Sequence, residues 1–151
     1  MSAHESFLTL KTFIETRQAH RLALSALDKE VEIGIVIGDV VECALFMKDD
    51  APVVEQRPAT HPDLVFYVKP ETLIVLNERT KDEISDIGVA VLKDVIAGDI
   101  RVKITGNILD ILRRGYIEVA RRGGAPVNAF LTRHGLSSVS QIMNTIKQMK
   151  G

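Results

Sequence analysis

The chain is poor in the features that usually announce a function. It has a single cysteine, Cys43, so an intramolecular disulfide is excluded and a reducing compartment fits. It has no surplus charge of either sign, since 19 basic side chains meet 20 acidic ones for a net charge of -1. Nucleic-acid binding leaves a basic footprint, so no nucleic-acid partner is expected. No run approaches the roughly 20 apolar residues of a membrane span. The N-terminal MSAHESFLTLK carries an early acid and no long apolar core, unlike a signal peptide. The C-terminal KQMKG is not a peroxisomal address of the Ser-Lys-Leu type. These absences lead us to expect a soluble, cytoplasmic, single domain spanning residues 1–151, with a core over about 31–122 and a helical extension over 125–151.

The catalytic inventory is nearly empty as well. His4, His20, His61 and His134 fall in different segments, none spaced to share a metal with another ligand. Cys43 sits among Val, Ala and Leu, a setting for a buried thiol rather than a nucleophile. There is no Gly-x-Ser-x-Gly elbow, phosphate loop or dinucleotide fingerprint. Asp49-Asp50 and Asp82-Glu83 are explained by turn chemistry and by acids at a helix start. The expectation is a protein that is not an enzyme and needs neither cofactor nor metal.

Hydrophobic residues make up 46% of the chain, enough for a real core. Residues 5–27 carry Phe7, Leu10, Phe13, Ile14, Leu24 and Leu27 at helical spacing, interrupted at His20-Arg21, as one long helix or two short ones. Val31 to Ile37 alternates as a strand, Val40 to Met47 follows across the Gly38-Asp39 turn, and short strands are predicted at Val53–Gln56 and Leu64–Lys69. The short connections predict a meander of antiparallel strands. Then the period changes. Pro70-Glu71-Thr72 opens a helix ending near Asn77, and Asp82 to Ala97 is the clearest helix, stopped by Gly98. Asp99 to Thr105 is a fifth strand. One helix is predicted from Asn107 to Gly123, then a loop or short helical turn over 125–133, then an amphipathic helix over 137–149. Strands first and helices later make this α+β.

The stretch AGDIRVKITGNILDILR, residues 97–113, joins a glycine-ended helix, a basic-apolar strand, Lys-Ile-Thr-Gly-Asn and an oily helix. It resembles the signature of the sterol carrier protein 2 family. Upstream, DLVFYVKPETLIVL resembles that family's strand that breaks into a helix, and the likeness covers roughly residues 31–122. The resemblance implies a five-stranded, mostly antiparallel sheet covered on one face by helices. It also implies an apolar tunnel between the layers that holds sterols, acyl chains or phospholipids.

On that basis the expected ligand-contacting residues are Ile35, Phe46, Phe66, Leu73, Val91, Val95, Ile104, Ile108, Leu112, Met143 and Ile146. Their alternative is ordinary core. Arg113, Arg114, Arg121 and Arg122 form either a solvated face or a patch for transient contact with an anionic membrane surface. The alternative to a carrier is a protein-interaction or accessory module with a filled core, binding a partner protein or self-associating as a homodimer through the C-terminal extension. A third reading makes His61 or His134 the base of an acyl-chain hydrolase or isomerase, though neither has an evident nucleophile beside it.

Overall fold

The computed structural model describes residues 2–133 of the chain. In order they form α1 (Ala3–Glu15), α2 (Gln18–Leu24), β1 (Glu32–Ile37), β2 (Val41–Lys48), β3 (Ala51–Glu55), β4 (Leu64–Val68), α3 (Pro70–Arg79), α4 (Ile84–Ala97), β5 (Ile100–Ile104), α5 (Ile108–Arg113), α6 (Tyr116–Arg121) and α7 (Gly124–Arg133). The helix expected at 137–149 lies outside the described residues.

Helix α1 starts on a capping box, in which the Ser2 hydroxyl accepts from Glu5 N–H and the Glu5 carboxylate accepts from Ser2 N–H. The N-terminal stripe divides into two helices at Arg17, whose backbone is extended (φ -101°, ψ 130°). The Arg17 guanidinium holds that break in place. It donates to Asn77 O and Thr80 Oγ1 near the end of α3 and lies over the Phe13 ring, 4.7 Å from its centroid.

The sheet runs β3-β2-β1-β4-β5, with β1–β2, β2–β3 and β4–β5 antiparallel and β1–β4 parallel. The first three strands are the expected meander. The fourth is not: it crosses back to lie beside β1. The outer edge of β3 is already occupied. Val54 N–H donates to Glu15 Oε2 at 2.9 Å, Val54 O accepts from Lys11 Nζ at 3.3 Å, and the two side chains pair at 2.6 Å. This ion pair from α1 satisfies the backbone groups that another strand would need, a way of closing an edge.

Register fixes which side chains share a face. Ile35 lies opposite Cys43 and Phe66, and Phe66 opposite Val102, so these point the same way as Ile33, Ile37, Leu64, Val68, Ile100 and Ile104. That face meets the helices. Its main cluster joins Ile33, Ile35 and Ile37 to Leu10, Phe13 and Ile14 of α1, Leu73 and Leu76 of α3, and Ile87 of α4. A second, smaller cluster joins Leu64, Val102 and Ile104 to Ile111 of α5.

Two further departures from the sequence reading have local causes. The helix expected over 108–122 is two helices, because Gly115 has φ 96° and a Cβ there would lie 2.9 Å from the Ala26 carbonyl carbon. Residues 124–133 are a full helix, since Val127 and Phe130 are buried on one side of it. It packs on α4 where Gly88 leaves room, as a Cβ at Gly88 would meet Val127 Cγ2 at 2.9 Å.

Candidate functional site

Between the two clusters lies a stripe of apolar side chains that neither cluster fully buries. Phe66, near the middle of the helix-facing side of the sheet, is only half-buried, and so are Val91 and Val95 of α4 and Tyr116 and Val119 of α6. Phe66, Val95 and Tyr116 touch both clusters. Helix α4 explains the stripe. It reads ISDIGVAVLKDVIA, apolar on most of its circumference, yet Ile87 is its only fully buried residue. Toward its C-terminal end Ile96 is exposed, and on α5 so are Leu109 (63%) and Leu112 (43%). A helix this apolar normally sits wholly inside a protein.

One end of the stripe is polar. Asp63, 4% exposed, precedes β4, and its Oδ2 accepts from Tyr116 Oη at 3.1 Å and from Arg114 Nη1 at 3.0 Å. Its backbone oxygen accepts from the N–H groups of Thr105 (2.9 Å) and Gly106 (3.2 Å). Burial, together with the Asp63 carboxylate, pushes the Tyr116 hydroxyl well above its ordinary value, so it stays a donor. The same carboxylate raises Arg114. Gly106 is required by this approach: a Cβ there would lie 2.9 Å from Asp63 Cα and overlap Oδ1. Asn107 then caps α5, its side chain accepting from Leu109 N–H at 2.8 Å. Thr105-Gly106-Asn107 is thus the turn that hangs α5 and α6 from the end of the sheet.

The expected site residues divide. Phe66, Val91 and Val95 come together in the stripe, while Ile35, Leu73 and Ile104 are buried in the clusters beneath it. Leu112 is at the exposed margin. Ile108 opens α5, and nothing is described of its side chain. Met143 and Ile146 lie outside the described residues. Phe46 is a correction. It pairs with Glu32 and Val53, one residue out of phase with Cys43 and Leu45, so it points to the opposite side of the sheet, where the Arg57 guanidinium covers it at 5.4 Å. Tyr116, Val119 and Asp63 were not among the expected site residues. Tyr116 and Val119 carried a signal, as apolar positions of a helix, whereas a lone acid after Pro62 carried none.

The four arginines do not form one patch. Arg114 is committed to Asp63, and Arg122 donates to Leu22 O and Ser25 Oγ. Arg113 pairs with Asp110 at 2.6 Å, and Arg121 is exposed. Two open clefts mark the surface. One, of about 470 Å³, is lined by Gln18, Leu22, Asp82, Ser85 and Arg122 among others. The other, of about 510 Å³, includes Lys29, Glu32, Thr60, His61 and Arg114. Neither is lined by a residue of the expected set, so the expected tunnel is not one of them. His61 is exposed, with no nucleophile or orienting acid within hydrogen-bonding range among the contacts described, and His134 lies outside the described residues. Burial pushes the Cys43 thiol up to about 11, which keeps it protonated and unreactive. Among the described residues no three His, Cys, Asp or Glu side chains could hold a metal ion, and no helix is long and apolar enough to cross a membrane.

No family model matches the chain, and no curated protein matches it. Among solved structures the chain is similar to one described as "UbiJ-SCP2 Ubiquinone synthesis protein", at 16% identity and a TM-score of 0.45, over 81% of this chain and 95% of that one. Likeness at that level says nothing of ligand or activity. The fold is α+β. It has the five mostly antiparallel strands and the helices on one face that the resemblance implied, while the parallel β1–β4 pair was not expected.

Proposed function

We propose that the protein binds, without catalysis, a molecule with a long apolar chain, laid along the stripe of Phe66, Val91, Val95, Tyr116 and Val119. The observation that supports this is α4, a helix apolar on most sides that buries only Ile87 completely, and whose half-buried Val95 packs on the same two clusters as the half-buried Phe66. Burying a methylene contributes about 0.8 kcal/mol. Ten of them give roughly 8 kcal/mol, comparable with an association cost of about 4–15 kcal/mol. Useful affinity therefore needs no reacting group. It also brings weak discrimination between chain lengths, because one methylene changes little. Tyr116 and Asp63 offer a hydrogen-bonding end to the stripe.

The test is native mass spectrometry of protein taken directly from cells, paired with displacement of a fluorescent fatty acid. An apolar adduct or saturable displacement is expected, and Val95→Arg should abolish it while leaving the circular dichroism spectrum unchanged. No adduct and no displacement with chains of about 10 to 18 carbons would remove the reading. The filled main cluster of α1, α3 and β1 favours a second one, a protein-interaction module. That alternative predicts a captured protein partner and no lipid uptake.

A further inference from the structure

At the polar end of the stripe the donors all point the same way. Tyr116 Oη and Arg114 Nη1 donate to Asp63 Oδ2 at 3.1 and 3.0 Å. The Thr105 and Gly106 N–H groups donate to Asp63 O, and the Thr105 hydroxyl donates to Pro62 O. A tyrosine hydroxyl has one proton and two lone pairs. With its proton committed to Asp63, Tyr116 offers only lone pairs to a molecule lying beside it. The cations at this end are matched as well. Arg114 lies between Asp63 and Asp110, 3.0 Å from the first and 3.9 Å from the second, and Arg113 pairs with Asp110 at 2.6 Å. Two acids thus face two arginines. The adjoining cleft of about 510 Å³, which Arg114 also lines, adds Lys29 and His61 but sets Asp28, Glu30 and Glu32 beside them.

We propose that the chain bound along the stripe ends in an uncharged hydroxyl group, which donates to Tyr116 Oη. This rests on the apolar-chain reading and adds the class of ligand to it: a long-chain alcohol rather than a fatty acid. A carboxylate would leave water with no donor turned toward it and no uncommitted arginine. Burying an unmatched charge is costly, whereas burying a hydroxyl that finds its acceptor is not. The hydroxyl supplies the proton that Tyr116 has given to Asp63. Hydrogen bonds then run from the ligand through Tyr116 to Asp63, each polarised by the next. Tyr116 is placed to serve both parts of such a molecule. Its ring packs against both apolar clusters, and its oxygen lies at their polar end. A neutral hydrogen bond shifts affinity by about 2–10-fold, and rejection of the carboxylate is stronger, at least about tenfold.

Competition for the fluorescent fatty-acid probe by dodecanol, dodecyl methyl ether and dodecanoate tests the proposal, because the three share one alkyl chain and differ at the head. On the wild-type protein at about pH 8, where the acid is ionised, dodecanol should bind about 2–10-fold tighter than the ether and at least about tenfold tighter than dodecanoate. In Tyr116→Phe the affinity ratio of dodecanol to ether should fall to about one. In Asp63→Asn dodecanoate should gain on both. Tyr116→Phe removes one oxygen and keeps the ring, so it decides the matter even where Asp63→Asn fails to fold. A carboxylate that binds as tightly as the alcohol overturns the proposal. So does an alcohol no better than its ether, or a preference for the alcohol that survives Tyr116→Phe; in these cases the chain still binds and only the head is wrong. If neither the probe nor any of the three binds, the apolar-chain reading is overturned and the proposal with it.

Discussion

Replacing Gly106 by alanine should destabilise the fold by roughly 3 kcal/mol. The position does not have a positive φ, so backbone strain is not the cause. The cause is Asp63, whose Cα would lie 2.9 Å from the new methyl carbon and whose Oδ1 would overlap it. Overpacking at a rigid site costs about 1–3 kcal/mol. Displacing the carboxylate also lengthens the bonds from Tyr116 Oη and Arg114 Nη1 and pulls at those from the Thr105 and Gly106 N–H groups. Leaving a buried acceptor short of a donor costs about 1–3 kcal/mol. In a domain of this size each kcal/mol moves Tm by about 2–4 °C, so a fall of about 6–12 °C is expected by calorimetry, with the midpoint in urea falling to match. Gly98 supplies the comparison. It has φ 84° and nothing within 4 Å of a Cβ, so Gly98→Ala carries the left-handed backbone penalty alone, about 1 kcal/mol. Tyr116→Phe separates the contributions. If the methyl acts by pushing Asp63 away from Tyr116, the effects of Gly106→Ala and Tyr116→Phe will fall short of additive. A Gly106→Ala protein within about 0.5 kcal/mol of wild type, or no worse than Gly98→Ala, would refute the argument.

Glu15→Ala should leave Val54 N–H without its acceptor and lower stability by about 1 kcal/mol. Reopening that strand edge should also raise light scattering on prolonged incubation, and a variant as clear as wild type would count against the edge's role. His20 is buried against Phe13, its Nδ1 without a partner, between Arg17 and Asp82, and burial lowers its pKa from 6.5 to about 4. The unfolded chain therefore takes up a proton near pH 6.5 that the folded chain refuses until about 4. Stability is highest above pH 6.5, falls by about 3 kcal/mol on the way down to 4, and then levels off. Urea titrations of wild type and His20→Leu should diverge in that window, and parallel curves would show that His20 is not responsible. The Cys43 thiol, held up at about 11 and buried, should react with Ellman's reagent only after unfolding.

Much of this fold was legible in residue order. The alternation of residues 31–37 and 99–105 marked β1 and β5, and β5 does alternate buried with exposed residues, whereas β1 is buried throughout except for the half-buried Glu32 and Val36. β2 hid its phase: Cys43, Ala44, Leu45, Phe46 and Met47 are apolar on both sides, and nothing in the run says which side meets the helices. That is why Phe46 was placed on the wrong face. The parallel pairing of β1 with β4 is a long-range choice that the run of residues 64–68 does not carry, and the far edge of β3 is closed by Lys11 and Glu15, some forty residues away. The arginines were visible as cations, but the partners that neutralise Arg114 and Arg122 come from Asp63 and from the end of α2. Gly106 could be read as a turn, whereas the acid that crowds it could not.

The parallel pair at the centre of the sheet sets an order of events during folding. β1, β2 and β3 are joined by tight turns and can zip up as soon as they leave the ribosome. β4 must then travel back past two finished strands to dock on the far side of β1, and β5 can add only after α3 and α4 have been made. Loop-closure entropy has to be met before either pairing returns anything. Until that moment one flank of β1 is bare, and a slow second phase, sensitive to crowding by other nascent chains, should follow a fast first one.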